Sequence, residues 1–340
     1  MVRQINPALA RLYSLDLTRR YGSERSVEVR VNSPGQQRAL EILEEGLPDN
    51  QMNSLAKLAS TTQPEVSDLL TRLGSLVRHS SALGPELTQL DVDQRFAELM
   101  RLYLTEGLDP ILALRGRANA EVFVEAFSKT GLAVARGMSG AGFRKFHTLD
   151  QTRVAESDTG ALGHFQESIG KARARSAKEM LLASAEVIQH SRITATLDRI
   201  SLAVLIANDV IAPASYQTWM ARDTPHLAIV FTELGCWVSH LVIPGITPCL
   251  GCLEVARAQQ DPNWIATATQ LSFLDRDLGD SASMFFAVSI ATSLANSLID
   301  RQPRENRIFQ LDRQSMSVEE AAVPNANCGC RVVGSDLDPR

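Results

Sequence analysis

The chain has 340 residues, 44% of them hydrophobic and 21% charged, and this composition excludes a mainly disordered protein. A formal charge of −5 at pH 7 removes the simplest electrostatic case for nucleic acid or an anionic membrane as partner, because phosphate groups are bound by concentrated basic surfaces. Five cysteines are too few for a disulfide scaffold, and the first residues lack the order of a secretory signal. We therefore expect a cytoplasmic protein of about two domains.

The first 80 residues predict a small winged-helix-like module. Two short extended runs come first, and in the second, residues 26–31, three valines alternate with polar residues as in a half-buried strand. Three short helices follow, and the third is predicted over residues 64–79, with a proline in its first turn. Residues 81–117 contain Gly-Pro and Asp-Pro breaks around one predicted helix, which is typical of a connector.

From residue 118 to the end of the chain, strands and helices alternate, which predicts a three-layer α/β domain. Long helices are expected over residues 170–190 and 281–299. The most apolar windows are interrupted by polar residues or are shorter than the ~20 residues of a membrane span, so they are interpreted as core elements. Strands are predicted at residues 122–125, 145–149, 202–207, 226–232 and 237–243, with a hairpin of residues 307–311 and 317–322.

Two close cysteine pairs give the strongest chemical signal in the sequence. Cys249-Leu-Gly-Cys252 and Cys328-Gly-Cys330 together supply four thiolates, the number that a tetrahedral structural zinc requires. The alternative is that these are unrelated buried cysteines. The fifth, Cys236, has no histidine and carboxylate at a recognisable spacing, so it is interpreted as an inert core thiol and not as a nucleophile.

A second, weaker signal follows the first predicted strand of the α/β domain. The loop Ala126-Phe-Ser128-Lys-Thr-Gly131 has small residues at the three positions of a G-x-G-x-x-G motif, but only the last is glycine. In a dinucleotide-binding loop the first two glycines allow a tight turn and the approach of phosphate to the backbone. Asp150 ends the next predicted strand, where an acidic residue would meet a ribose.

These blocks resemble the ThiF-like family, which is related to ubiquitin-activating enzymes. The resemblance rests on the segment IPGITPCLGCLEVARAQQDPNW, the closing CGC, and the AFSKTG loop followed by Asp150 and IGKARARSA. More narrowly, the chain resembles ThiF-like partner proteins of azole- and azoline-containing peptide and thiopeptide biosynthesis, of the bacteriocin cyclodehydratase or leader-peptide-binding type. This resemblance implies a winged-helix-like leader-recognition domain over residues 1–80, and a ThiF-like α/β domain with structural zinc over residues 118–340.

The chain departs from the adenylating members of that family at the positions where they hold ATP. Ala126 and Ser128 replace glycines, Ala161 stands at the position of an arginine, and Arg173 stands at that of a lysine. Asp209 is similar to the family's magnesium-binding aspartate, but one carboxylate does not neutralise phosphates. With these departures, the resemblance implies a degenerate nucleotide loop, no catalytic residues and no bound ATP.

What the resemblance implies instead is binding. The amino-terminal module would capture the leader of a ribosomally synthesised precursor peptide as an added β-strand, and the ThiF-like body would dock a YcaO-type cyclodehydratase. No nucleic acid or membrane partner is expected, and a homodimer is left open. The residues predicted to contact the peptide are Val27, Glu28, Val29, Arg30, Val31 and Arg72.

Two other functions compete with this prediction. The first is an ATP-dependent adenylating enzyme of the ThiF/MoeB type that acts on a peptide or carrier carboxylate, and intact phosphate-binding residues would favour it. The second is a zinc-containing transcription regulator with a winged helix. The net negative charge of the chain and the lack of a basic recognition helix argue against a transcription regulator.

Overall fold

The computed structural model of the chain describes residues 1–14, 18–24, 26–181, 183, 185–193, 195–302, 306–312, 316–320, 328 and 330. The chain divides into two compact units, Met1–Gly116 and Arg117–Arg340. The functional division into residues 1–80, 81–117 and 118–340 remains a prediction.

The described residues of the first unit form two small antiparallel sheets and six α-helices. One sheet has the strand order β5–β1–β6 and the other has the order β2–β3–β4. The strands are β1 (Val2–Ile5), β2 (Arg11–Tyr13), β3 (Thr18–Tyr21), β4 (Val27–Arg30), β5 (Leu47–Pro48) and β6 (Val77–Ser80). The helices are α1 (Pro34–Glu45), α2 (Leu55–Leu58), α3 (Gln63–Leu73), α4 (Gln89–Gln94), α5 (Phe96–Tyr103) and α6 (Pro110–Asn119), within which the division between the units falls.

One hydrophobic core joins the strands and helices of residues 1–80. Ile5 of β1, Tyr21 of β3 and Val29 of β4 are all buried in it together with the apolar faces of α1 and α3. α3 begins at a capping box in which Thr62 and Glu65 each satisfy a backbone N–H of the other, an arrangement that fixes where a helix starts. The edge of β4 is therefore anchored on a packed core.

The third helix is shorter than the sequence predicts. α3 ends at Leu73 and not at residue 79, because Gly74 adopts a φ of +48° and its N–H bonds the carbonyl of Leu70. The next residues form a 3-10 turn and then β6, which pairs with β1. The predicted connector packs onto the same unit, where the Asn6 side chain donates a hydrogen bond to the carbonyl of Tyr103 at 2.8 Å.

The second unit is built on a mixed sheet with the strand order β14–β13–β12–β11–β10–β7–β8–β9. The strands are β7 (Glu121–Val124), β8 (Lys145–Thr148), β9 (Glu186–Gln189), β10 (Leu202–Asn208), β11 (His226–Thr232), β12 (Gly235–Val238), β13 (Arg307–Asp312) and β14 (Met316–Glu320). The helices are α7 (Lys129–Ala141), α8 (Arg173–Met180), α9 (Pro213–Met220), α10 (Leu250–Gln260), α11 (Trp264–Leu271) and α12 (Ser281–Ile299).

Both faces of the central strands of this sheet are buried, which confirms the expected α/β layering. Val122 and Val124 of β7 lie in a core with residues of α7 and α12. Phe123, between them, lies in a second core with residues of α9 and α10. Because successive side chains of a strand point to opposite faces, helices cover the sheet on both sides.

The prediction of one long helix over residues 170–190 is confirmed only for residues 173–180. α8 ends at Met180, Leu181 is extended, and residues 186–189 form β9, which pairs parallel with β8. β9 is the last described strand on its side of the sheet and is mostly exposed, so it lacks the apolar pattern of a buried strand. Its four residues, Glu186–Gln189, show no alternation of buried and exposed side chains that would predict a strand.

The order of the parallel strands reverses between β7 and β10. From β7 the chain moves outward to β8 and β9, then returns to the other side of β7 with β10 and β11. Ligands of open α/β sheets bind at the carboxyl ends of the strands beside such a reversal. We call this place, bounded by the loop 125–128, Asn208 and Asp209, the switch-point crevice.

α12 is the one described helix with the length and apolar composition of a membrane span. Its buried residues, among them Met284 and Ala291, pack in the core with β11, β12 and α7. A core helix passes the same test of length and composition, so this property carries no membrane assignment.

Candidate functional sites

The loop between β7 and α7 keeps one glycine of a nucleotide-binding loop. A Cβ atom on Gly131 would stand 1.7 Å from the carbonyl oxygen of Ala126, so no other residue fits this close approach. Side chains occupy the two other glycine positions, at Ala126 and Ser128. The loop therefore retains the glycine that packs the helix against the strand.

Asp150, the predicted ribose contact, is used inside the protein. One of its carboxylate oxygens accepts a hydrogen bond from the N–H of Phe127 at 2.9 Å, and the other accepts from the N–H of Thr152 at 2.8 Å. Its side chain is 3% exposed. The carboxylate thus fixes the loop that carries Ala126 and Ser128, and the structure brings these predicted residues together.

Arg173, which stands where adenylating relatives have a lysine, is paired with an aspartate that sequence reasoning missed. Its guanidinium donates to both carboxylate oxygens of Asp158 at 2.8 and 2.9 Å. Bidentate pairs of this kind hold both groups in fixed positions. No sequence motif marks Asp158, which lies fifteen residues before its partner.

His164 links the same region to the loop. Its Nε2–H donates to the carbonyl of Phe127 at 2.8 Å, and its Nδ1 accepts from the hydroxyl of Ser176 at 2.8 Å. Burial lowers the pKa of this imidazole, so it is neutral near pH 7 and the assigned tautomer follows from the carbonyl partner. The loop is held on both sides by buried polar groups.

Asp209, the residue similar to a magnesium-binding aspartate, lies at the end of β10 with a φ of +63°. Its carboxylate accepts two hydrogen bonds from Arg276, one of them at 3.0 Å. Sequence reasoning missed Arg276, which is 67 positions away and belongs to no recognisable motif.

The four predicted zinc ligands come together. Their sulfur atoms all lie within 4.8 Å of one another. The Sγ atoms of Cys249 and Cys252 are 3.7 Å apart, and each is close to one sulfur of the second pair, Cys328 at 3.5 Å and Cys330 at 3.4 Å. A tetrahedral zinc with Zn–S bonds of ~2.3 Å requires sulfurs ~3.8 Å apart. The donor set therefore fits zinc.

One thiol of this cysteine cluster is strongly affected by its buried surroundings. Cys249 occupies the N-cap position of α10, and burial raises the pKa of its thiol to about 11. Such thiols stay protonated at neutral pH until a metal displaces the protons. A Cβ atom on Gly251 would stand 3.2 Å from the Tyr216 hydroxyl, so a larger residue between the two ligands would require the Tyr216 side chain to shift.

Cys236 takes no part in this cluster. Its side chain is buried in the core, its Sγ donates to the carbonyl of Ser283 at 3.3 Å, and burial raises the pKa of its thiol to about 12. A thiol that stays protonated and buried is a poor nucleophile. The predicted position of Cys236 in the core is confirmed.

The predicted peptide-binding strand is the outer strand of its sheet. β4 pairs with β3 on one side, and no other described strand pairs with it. Val29 is buried in the core, whereas Val27 is 41% exposed and Glu28 and Arg30 are exposed. Val31, just beyond the strand, is half-buried.

Arg72 reaches this edge from α3. Its guanidinium donates a hydrogen bond to the main-chain carbonyl of Arg30. The same side chain pairs with Asp68 at 2.7 Å and donates to Gln36 Oε1 at 2.9 Å. Because the N–H and C=O of one strand residue point to the same side, Arg30 and the residue two before it, Glu28, direct their main-chain groups away from β3.

The comparisons with known proteins identify relatives by structure alone. No family model matches the chain, and no curated protein matches it. Escherichia coli MccB crystallised with ATP superposes with a TM-score of 0.66 at 12% identity, over 98% of this chain and all of MccB. The chain shares its fold with MccB.

Two further structures bear on this fold. The microcin C7 biosynthetic enzyme MccB in complex with N-formylated MccA superposes with a TM-score of 0.65 at 12% identity, over 97% of this chain and 100% of that one. PaaA superposes with a TM-score of 0.62 at 15% identity, over 79% of this chain and 95% of PaaA. At such identities the likeness shows a shared fold and not a shared function.

Proposed function

We propose that the chain captures the leader of a ribosomally synthesised precursor peptide on the outer edge of β4 and presents the peptide to a YcaO-type cyclodehydratase for azoline and azole formation. The observation that carries this proposal is the outer edge of β4, with which no described strand pairs and at which Arg30 and Glu28 direct their main-chain groups outward. An extended peptide adds to such an edge through main-chain hydrogen bonds, and neighbouring side chains supply specificity.

The length and the charged side chains of β4 favour a specific peptide over other extended chains. Exposed edge strands attract any extended chain unless they are short or charged. β4 has four residues, and Glu28 and Arg30 are exposed on it. Arg72 covers the end of the strand and would select among leaders by what they offer its guanidinium. MccB, which has the same fold, has been crystallised in complex with MccA, and this supports a peptide ligand for the chain.

The same proposal treats the ThiF-like unit as non-catalytic. Phosphoryl and adenylyl chemistry needs several donors that neutralise phosphate charge. Here Asp150, Arg173 and Asp209 are each engaged by other residues of the chain. This internal engagement supports a binding role for the unit.

Zinc has a structural role in this proposal. Cys249, Cys252, Cys328 and Cys330 would hold the ion, which supplies a cross-link and no chemical step. Seventy-five residues separate the two pairs, so the ion would tie the end of the chain to the body of the second unit.

The adenylating alternative is favoured by one observation, the ATP in a structure of the same fold. A single set of measurements separates the two functions. The proposal requires a short precursor gene and a YcaO gene beside this one. Fluorescence polarisation would follow the binding of a labelled leader of that precursor, and pyrophosphate exchange would follow adenylation. We expect leader binding without exchange, and co-purification with the YcaO protein. Exchange stimulated by the precursor would establish the alternative, and absence of leader binding would refute the proposal.

A further inference from the structure

The segment between α11 and α12, residues 272–280, runs across the switch-point crevice, and we call it the strap. Nε of Arg276 donates to Asp209 Oδ2 at 3.0 Å, and a second guanidinium N–H donates to the other carboxylate oxygen. The N–H of Leu278 donates to Asn208 Oδ1 at 3.1 Å. The strap is thereby fastened to the carboxyl end of β10.

A second set of contacts fastens the strap to the start of α7. Asp277 Oδ2 lies 3.5 Å from Nζ of Lys129, the first residue of the helix. A Cβ atom on Gly279 would stand 3.3 Å from Thr130 Oγ1. The amino-terminal end of a helix attracts anions through its dipole and free N–H groups. The strap therefore places a carboxylate beside the cationic side chain that begins α7.

Arg276 supplies the counter-charge for a buried carboxylate of the crevice. The side chain of Asp209 is 5% exposed, and a buried carboxylate without a counter-charge is strongly destabilising. The Asp209 backbone, whose N–H bonds the carbonyl of Phe231 at 2.7 Å, holds the carboxylate in place. Arg276 also bonds Glu233 at 2.9 Å. One guanidinium thus pairs with both carboxylates at this edge.

We propose that the strap is an internal plug of the switch-point crevice. Arg276 takes the place of a cation at Asp209, Asp277 takes the place of an anion at Lys129, and together they keep the crevice closed in the free protein. This inference stands on the contacts of the strap alone and does not depend on peptide capture.

Ion pairs contribute more than apolar contacts to holding the strap in place. Phe273 and Leu274 of the strap are 84% and 51% exposed, so they contribute little apolar burial to it. Leu278 is its one larger apolar residue that packs against the core. Opening the strap would therefore cost mainly the ion pairs, and their removal should open it without unfolding the unit.

The test is amide hydrogen exchange of the full-length protein, followed by mass spectrometry. Arg276→Gln should raise the exchange rate of the strap roughly tenfold, because breaking a partly buried pair favours the open state. Carbodiimide labelling should then modify Asp209, which is protected in the wild type. Arg222→Gln is the matched control. The Arg222 side chain is paired with Asp198 and is 24% exposed, which is close to the 28% of Arg276. The control should leave strap exchange and Asp209 labelling unchanged.

A second variant keeps the proposal testable if Arg276→Gln does not fold. Asp277 is 54% exposed, so Asp277→Asn should fold, and loss of its pair with Lys129 should raise strap exchange about twofold to fivefold. The proposal is overturned if the wild-type strap already exchanges at the rate of an unstructured peptide. It is also overturned if the folded variants exchange at the wild-type rate.

Discussion

The N–H of Phe127 donates a hydrogen bond to the carboxylate of Asp150 at 2.9 Å. This contact joins the loop after β7 to the end of β8, and it uses the acidic residue that a dinucleotide-binding fold would offer to a ribose. The sequence predicts Asp150 at a ligand site, and in the structure its carboxylate accepts a hydrogen bond from within the chain.

The first prediction follows from that contact. Asp150→Asn should lower the free energy of unfolding by about 1–3 kcal/mol, because an amide cannot accept on both sides as the carboxylate does and a buried N–H loses its charged partner. Asp198→Asn, on a side chain that is 59% exposed, should change stability by less than ~1 kcal/mol. Urea denaturation measures both. An effect of Asp150→Asn as small as that of Asp198→Asn would mean that the Asp150 contact adds nothing to stability.

Two glycines of α7 form a matched pair for the second prediction. Gly131→Ala should cost several kcal/mol or prevent folding, because its Cβ would stand 1.7 Å from a backbone oxygen. Gly140→Ala, exposed near the end of the same helix and with no atom within 4 Å of its Cβ, should be neutral or stabilise the helix by up to ~1 kcal/mol. Thermal melting separates the two variants. A well-folded Gly131→Ala protein would disprove the tight loop described for this site.

The third prediction concerns the cysteine cluster. Purified protein should contain one zinc per chain by elemental analysis, and the double variant Cys328→Ser, Cys330→Ser should lose the metal and melt at a lower temperature, because the ion closes a long loop. Cys236→Ala is the control, since its thiol lies outside the cluster, and it should keep the zinc. Stoichiometric zinc in the double variant would assign the metal to other ligands.

The fourth prediction is a pH dependence that originates at His226. Burial lowers the pKa of this imidazole to about 4, against ~6.5 in an unfolded chain. The unfolded chain therefore binds a proton between these pH values that the folded protein does not, so the stabilisation is complete above pH 6.5 and is lost as the pH falls towards 4. At pH 5 the loss is about 2 kcal/mol from this group.

His226→Asn removes that titration and provides the comparison. The variant should be less stable than the wild type at pH 7, since the buried imidazole bonds the carbonyl of Thr224 at 2.9 Å, but its stability should fall less steeply on acidification. Urea denaturation at pH 7, 6 and 5 measures both slopes. Parallel curves for the two proteins would assign the acid sensitivity to other groups.

Much of the second unit could be predicted because its signals are local. The helix expected over residues 281–299 matches the bounds of α12, and the strand expected over residues 226–232 matches β11. Long apolar periodicity and buried apolar runs are the strongest sequence patterns. The cysteine cluster was predictable for a related reason, since the spacing within each pair is short.

The remainder depends on contacts between distant parts of the chain. The pairing of β6 with β1 and the addition of β9 to the sheet edge are decided by tertiary hydrogen bonds that leave little trace in four-residue segments. Arg276 meets Asp209 only because α10 and α11 return the chain to the end of β10. Arg30 and Arg72 were both predicted at the peptide site, but the hydrogen bond between them was not.

Capture of the leader on the edge of β4 is the central claim, and main-chain hydrogen bonding is its most specific consequence. The outward direction of the Arg30 main chain means that proline there removes a donor offered to the peptide and not one that pairs with β3. Arg30→Ala keeps that donor and removes only the side chain. The two variants therefore separate main-chain from side-chain recognition.

The decisive measurement is a fluorescence-polarisation titration of the labelled leader against full-length wild type, Arg30→Ala and Arg30→Pro, each shown to be folded by circular dichroism and thermal melting. We predict binding by Arg30→Ala within about threefold of wild type, and binding by Arg30→Pro that is roughly tenfold weaker, as expected from the loss of main-chain hydrogen bonds worth ~0.5–1.5 kcal/mol each. A leader that is N-methylated at the backbone amide facing Arg30 should also bind the wild type more weakly. Equal affinity of a folded Arg30→Pro protein and the wild type would contradict capture at this edge.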